Sequence, residues 1–176
     1  MGSMKWTIGH RAAGSEFRDL IYVSVRTLAL WLILVMCSAS SQNTVYVDGC
    51  YVPPDRAGYG VFWAKGDPKN RAIKLQMPQT NLTAEIAAAV TAIDQAISYR
   101  MNQVCIVTDC DAVVDYWTGK RNVPEPGDEP LRSWVLKLLA FKGKSLNVTW
   151  RIVEAHSGDE GNKQADLLAK QGAGLA

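Results

Sequence analysis

Four acidic residues, each at the end of an apolar segment, constrain what this chain can fold into more than any other feature. They are Asp48 in TVYVDGC, Glu85 in QTNLTAEIAAAV, Asp109 in VCIVTDC and Asp166 in GNKQADLLAK. A carboxylate beside core sequence is costly to bury unless an opposite charge pairs with it. Four of them in one small domain indicate a shared counter-charge. A hard divalent cation is the obvious candidate, since oxygen-only ligands suit Mg²⁺ or Mn²⁺ rather than zinc.

The spacing of apolar residues changes along the chain and predicts an α/β fold. The predicted strands lie at 45–47, ending at Asp48-Gly49, and at 58–64, 73–77, 104–108 and 148–154. The predicted helices run from after Thr80-Asn81 to 97, and over 111–117, 131–142 and 162–171. Three strands in series indicate an antiparallel meander, and the apolar strand at 104–108, with Cys105 in the core, is typical of a buried parallel strand. This order implies a mixed sheet with helices on its faces.

Glu85 is predicted to face the sheet from the start of the first helix. It shares a helical face with the apolar residues Ala89 and Ile93, which follow it at intervals of four. Its carboxylate should therefore point inward.

Residues 1–43 look foreign to the domain at 44–176. An apolar run at 28–37 is followed by small residues at 38–41, as in a signal peptide or anchor. Membrane association is possible only through residues 20–37, where Arg26 interrupts the span. The extension is signal or anchor sequence, cloning-derived sequence or a native extension. Against secretion, the glycosylation acceptor Asn81-Leu82-Thr83 lies four residues before Glu85, where a glycan would block the site.

The net charge and the cysteine content limit which classes of protein this chain can belong to. Residues 1–43 hold four basic and two acidic residues, and the remaining 15 basic and 15 acidic residues cancel, so the domain itself is neutral. Neutral charge does not by itself indicate nucleic-acid binding. The four cysteines include no CxxC pair, and only two histidines occur, which argues against structural zinc or a disulfide framework. A reducing intracellular compartment (nucleus, cytoplasm or mitochondrion) is therefore expected.

The segments VYVDGC, QTNLTAE, VTDC and EAHSGDEGNKQADLLAK, taken in order, resemble type 1 ribonuclease H of the cellular ribonuclease H1 kind. The resemblance covers about residues 44–174. It implies a five-stranded mixed sheet and an endoribonuclease that cleaves the RNA strand of RNA–DNA hybrids. It also implies that the four carboxylates bind two divalent ions, Mg²⁺ or alternatively Mn²⁺, with Asp48 bridging them.

The same resemblance assigns further residues. His156 would assist proton transfer or product release, and it completes the predicted catalytic set of Asp48, Glu85, Asp109, His156 and Asp166. The segments that would contact the hybrid contain Cys50, Gln79, Thr80 and Asn81, of which Asn81 would read RNA 2′-hydroxyls. The expected partner is the hybrid alone, bound by a monomer that needs no small-molecule cofactor.

Each acidic residue also has a structural interpretation. Glu85 suits a helix N-terminus, Asp109 a helix cap, Asp48 a turn and Asp166 a solvated helix face. His156 could be a loop hydrogen-bonding residue, and Trp117 either core or a contact to the DNA strand.

The chain also departs from the family pattern. The loop at 119–130 is short and carries no Trp- and Lys-rich handle, and Pro78, Leu82 and Thr83 replace common polar or basic residues. The alternative function is accordingly a weak or inactive module that binds hybrids or duplex RNA.

Overall fold

A five-stranded mixed sheet carries the candidate site. In the computed structural model, which describes residues 43–76, 79–155 and 158–175, five strands and four helices follow one another in the predicted order. The strands are β1 (Asn43–Val52), β2 (Arg56–Phe62), β3 (Arg71–Lys74), β4 (Gln103–Thr108) and β5 (Asn147–Ile152). The helices are α1 (Asn81–Ser98), α2 (Asp111–Thr118), α3 (Glu129–Leu139) and α4 (Glu160–Gly172).

The sheet topology confirms the predicted fold class. The spatial order is β3-β2-β1-β4-β5; β1, β2 and β3 pair antiparallel, whereas β4 pairs parallel with both β1 and β5. The carboxyl ends of parallel strands meet at one edge of a sheet. Asp109, directly after β4, therefore lies at the same edge as Asp48 of β1.

The prediction that β1 ends at Asp48-Gly49 is wrong. The strand continues to Val52, which pairs with Arg56 of β2. Its parallel pairing with β4 stops at Tyr46 and Val107, so beyond that point the described residues pair β1 with β2 alone. Asp48 thus sits where one neighbouring strand has ended, and a space opens beside it.

Gly49 serves close packing rather than chain reversal. A Cβ added there would lie 2.5 Å from the backbone nitrogen of Glu85 and 2.9 Å from the Cβ of Ala84. Only a glycine lets the first turn of α1 approach β1 this closely. The chain reversal comes later, at residues 53–55, between β1 and β2.

Several other element bounds differ from the predicted ones. α3 begins at Glu129 because Pro130 is tolerated in the first turn, and it ends at Leu139. α4 begins at Glu160 because the Asp159 side chain accepts hydrogen bonds from the backbone nitrogens of Gly161 and Asn162. β2 starts and ends two residues earlier than predicted, β3 ends at Lys74 and β5 ends at Ile152.

The core lies between the sheet and the helices, with α1 contributing most of its small residues. Ala89 and Ile93 are fully buried and Glu85 is 4% exposed, which confirms that this face of α1 turns inward. Cys105, predicted as core, is instead partly exposed, because the covered residues of β4 are Val104, Ile106, Val107 and Thr108. Within the described residues no helix is long and apolar enough to span a membrane, and the apolar run at 28–37 falls outside them.

Gly60 provides a test of how α4 packs on β2. An added methyl group would meet the carbonyl oxygen of Ala165 and lie 2.7 Å from the nitrogen of Ala169, both on α4. We expect Gly60→Ala to lower the free energy of unfolding by at least about 1–3 kcal/mol, because backbone atoms cannot repack as side chains do. Urea denaturation measures this, with the exposed Ser98→Ala as control. Equal stability of both variants would contradict the close packing.

Candidate metal centre

Three of the predicted carboxylates converge in space. One oxygen from each of Asp48, Glu85 and Asp109 lies within 4.8 Å of the others. They come from β1, from α1 and from the residue after β4, so three separate elements build the cluster. Asp48 is 7% exposed and Glu85 is 4% exposed, whereas Asp109 is partly exposed. We call these three residues the carboxylate triad.

The start of α1 is held firmly, and this positions Glu85. Thr80 is the N-cap, and its hydroxyl accepts a hydrogen bond from the Thr83 nitrogen at 3.2 Å. The Thr83 hydroxyl in turn accepts one from the Thr80 nitrogen at 2.7 Å, which completes a capping box. Thr83 thus contributes to the helix start. Asn81 Nδ2 then contacts Glu85 Oε1 at 3.4 Å.

The electrostatics of the triad favour protonation unless a cation is bound. Burial, followed by the negative charges of Asp109 and Asp166, raises the pKa of Asp48 to about 7. Burial and the charges of Asp48 and Asp109 also raise the pKa of Glu85 well above its ordinary value. One pKa unit corresponds to about 1.4 kcal/mol, so full ionisation of this cluster is strongly unfavourable by itself.

The donor set fits a divalent metal ion. Glu85 Oε2 is buried and has no hydrogen-bond partner among the described residues, although buried carboxylate oxygens are normally satisfied. An all-oxygen set of three carboxylates matches the preference of hard cations. The triad can therefore hold such an ion, with Glu85 Oε2 free to bind it.

Asp166 borders the same cavity but stands apart from the triad. The cavity, of about 350 Å³, is lined by the four predicted carboxylates together with Gly49, Asn81, Cys110, Ala155, Gly158, Asp159, Asn162 and Lys163. Asp166 Oδ2 accepts a hydrogen bond from Lys170 Nζ at 2.6 Å, one turn further along α4. The structure therefore brings all four predicted carboxylates to one cavity, with Asp166 engaged by a lysine.

Only one of the four predicted substrate-binding residues lines the cavity. Asn81 lines the cavity, whereas Cys50, Gln79 and Thr80 are not among its lining residues. Cys50 follows Asp48 by two residues on β1, and Gln79 Nε2 donates to the carbonyl of Gln76 at 2.8 Å. Their substrate contacts stay predictions. His156 lies outside the described residues.

Asn162 is a site residue that the sequence reasoning missed. It is 7% exposed in the first turn of α4, and its Nδ2 donates to Asp109 Oδ2 at 3.0 Å. Its own Oδ1 is buried with no hydrogen-bond partner among the described residues. The available signal was its spacing: Asn162 precedes Asp166 by four residues, so both lie on one helix face.

Comparison with known proteins places this chain in a family. The family model described as RNase H matches residues 40–174. Ribonuclease H1 of Homo sapiens is 36% identical over 140 residues, which are 73% of this chain and 49% of the human protein. Ribonuclease H of Ruthia magnifica is 30% identical over 133 residues, 71% of this chain and 90% of that protein. The chain spans about half the length of the mammalian relatives that it matches.

The fold comparison agrees with the sequence comparison. The crystal structure of RNase H1 from Halobacterium salinarum superposes with a TM-score of 0.58 at 21% identity, covering 76% of this chain and 98% of that one. At this identity the likeness shows the fold alone.

The raised pKa of Asp48 predicts how stability depends on pH without divalent ions. An unfolded aspartate has a pKa near 3.9, and Asp48 in the folded protein has a pKa of about 7. Between these values the folded state binds more protons than the unfolded chain, so the free energy of unfolding should fall as pH rises from about 4 to about 7. Asp48→Asn should flatten this slope. Urea denaturation in EDTA measures it, and a slope unchanged by the substitution would contradict the assignment.

Proposed function

Since the chain belongs to the RNase H family, we propose that the domain at residues 44–176 is an endoribonuclease that hydrolyses the RNA strand of RNA–DNA hybrids. The single observation that supports this most is the carboxylate triad. Its three carboxylates converge in space, and one of their oxygens is buried without a hydrogen-bond partner among the described residues. A site of this kind serves hydrolysis of a phosphodiester better than it serves passive binding, because negative carboxylates repel a phosphate backbone unless cations intervene.

We assign the carboxylates to two divalent cations, with Mg²⁺ preferred and Mn²⁺ as the alternative. When bound, such ions activate a water molecule and stabilise the leaving oxygen of an in-line displacement. Asp48 would contribute to both ions, since it belongs to the carboxylate triad and lines the same cavity as Asp166. Glu85 and Asp109 would bind mainly one ion and Asp166 mainly the other. Asn162 would hold Asp109 in position through its Nδ2.

His156 and the residues before α1 complete the proposal. His156, ten residues before Asp166, would transfer a proton or assist release of the cleaved product. Asn81 borders the cavity next to Glu85, which supports a contact between its amide and the RNA strand. Cys50, Gln79 and Thr80 would contact the hybrid through backbone groups. We further propose an intracellular monomer whose partner is the hybrid alone.

Asp109→Asn tests the chemistry. The substitution keeps the shape of the side chain but removes a metal-binding charge. Removing a group that hydrogen-bonds to a metal ligand lowers metal affinity or activity by about 10–100-fold. Removing a ligand itself should therefore lower the cleavage rate by more than about 100-fold. The measurement is cleavage of a hybrid labelled on its RNA strand in Mg²⁺, with duplex DNA as the substrate that should stay intact.

The matched control is Asp111→Asn, an exposed acidic residue two positions away in the first turn of α2. It should retain the parental rate. Full activity of Asp109→Asn would show that the site is misplaced. A parental protein that binds hybrids without cleaving them would instead support the alternative of an inactive binding module.

His156→Ala tests the proton-transfer role. We expect turnover to fall by about 10²–10⁴-fold, as for other positioned acid–base groups. Mg²⁺ binding, measured by calorimetry, should be unchanged because the residue is not assigned as a ligand. Loss of Mg²⁺ binding together with activity would make His156 a metal ligand or a structural residue.

A further inference from the structure

Among the described residues, Lys170 is the cation that lies nearest to one of the four predicted carboxylates. Its Nζ lies 2.6 Å from Asp166 Oδ2, a short distance typical of a charge-assisted hydrogen bond. The Lys170 side chain is 45% exposed and that of Asp166 is 29% exposed. The two residues are four apart on α4 with the acid nearer the N-terminus, the favourable order for a helical ion pair.

The influence of Lys170 extends past its partner. Its pKa is raised first by the hydrogen bond with Asp166 and also, more weakly, by Cys50 and Asp48 on β1. Lys170 is not among the residues that line the cavity, so it acts there through Asp166, which does line it. Asp166 lines the same cavity as the triad, so the charge that Lys170 neutralises lies beside the triad.

Two cations competing for one carboxylate weaken each other. A divalent ion at Asp166 must share the carboxylate with the Lys170 ammonium or displace it. The triad carboxylates, by contrast, have no ion pair with a described lysine or arginine. The two halves of the site thus differ in a way that the four carboxylates alone would not produce.

We propose that Lys170 is a positioning residue that holds Asp166 in place as an internal counter-ion and lowers the affinity of the second divalent cation relative to the first. This inference rests on the proposed two-cation function. It makes the Asp166 side of the site bind its ion last and release it first. The ammonium keeps this side near electrical balance when only the triad carries an ion.

The test is calorimetric titration of the protein with Mg²⁺ in the absence of nucleic acid. Lys170→Met removes the ammonium and keeps most of the side-chain length. The dissociation constant of the second Mg²⁺ should fall roughly two- to fivefold, the range expected from the loss of a partly exposed ion pair. If the parent shows only one phase, a second phase should appear in the variant. Lys170→Arg, which keeps the charge, should restore the parental isotherm.

Lys163→Met is the matched control, because Lys163 lies on the same helix and lines the same cavity but pairs with Glu160 at 4.0 Å. It should change the second phase less than Lys170→Met does. The inference would be overturned if Lys170→Met bound Mg²⁺ with unchanged or lower affinity than the parent. If the substitution lowered only the midpoint of unfolding in EDTA, Lys170 would stabilise the fold without affecting the second cation, and the inference would also be wrong. A parent that binds no Mg²⁺ and cleaves no hybrid would instead refute the proposed function.

Discussion

The contact between β1 and the first turn of α1 is the constraint on which the rest of the site depends. Gly49 lets the backbone of Glu85 come so close that no side chain fits between them. This contact carries the Glu85 carboxylate to Asp48, and the end of β4 adds Asp109. The packing that stabilises the fold therefore creates a cluster of like charges. Such a cluster is relieved by protonation, as the raised pKa of Asp48 and Glu85 indicates, or by a bound cation.

Helix α4 is the second element on which the site depends, and its start is held by contacts to the sheet. The ring of Tyr46 on β1 fills the space where Gly161 has no side chain. The guanidinium carbon of Arg151, on β5, lies 5.7 Å from the centroid of the Tyr46 ring. Arg151 Nη2 also lies 3.7 Å from Asp159 Oδ2. Because Asn162, Asp166 and Lys170 recur at four-residue spacing, fixing the start of the helix fixes all three. One face of α4 therefore carries the asparagine that contacts Asp109, the carboxylate of Asp166 that lines the cavity, and the lysine that pairs with Asp166.

The order of elements and the four carboxylates could be predicted because both depend on local pattern. Alternating and helical spacing located each element, and each acid lies beside an apolar run of the sequence. The prediction at Asp48-Gly49 failed because this pair is typical of a strand end, whereas here Gly49 is needed for the close approach of Ala84 and Glu85, 35 and 36 residues later in the chain. Asn162 and Lys170 were missed because their importance lies in their partners, Asp109 and Asp166. Helical spacing could have connected these residues to Asp166, but only the fold shows that Asp109 lies beside Asn162.

In the proposed function, binding of the substrate would depend on different features of the domain from those that would serve catalysis. The domain carries equal numbers of basic and acidic residues, and several cations are engaged by aromatic rings, with Lys142 over Trp117 and Arg121 over Tyr116. Trp117 itself packs against Trp150 with ring centroids 5.7 Å apart, so packing accounts for it without a DNA contact. Phosphate contacts supply most of the affinity for a duplex. Under the proposed function, a neutral domain with an acidic cavity would therefore need divalent ions to bind its substrate as well as to cleave it, and both requirements would fall on the same carboxylates.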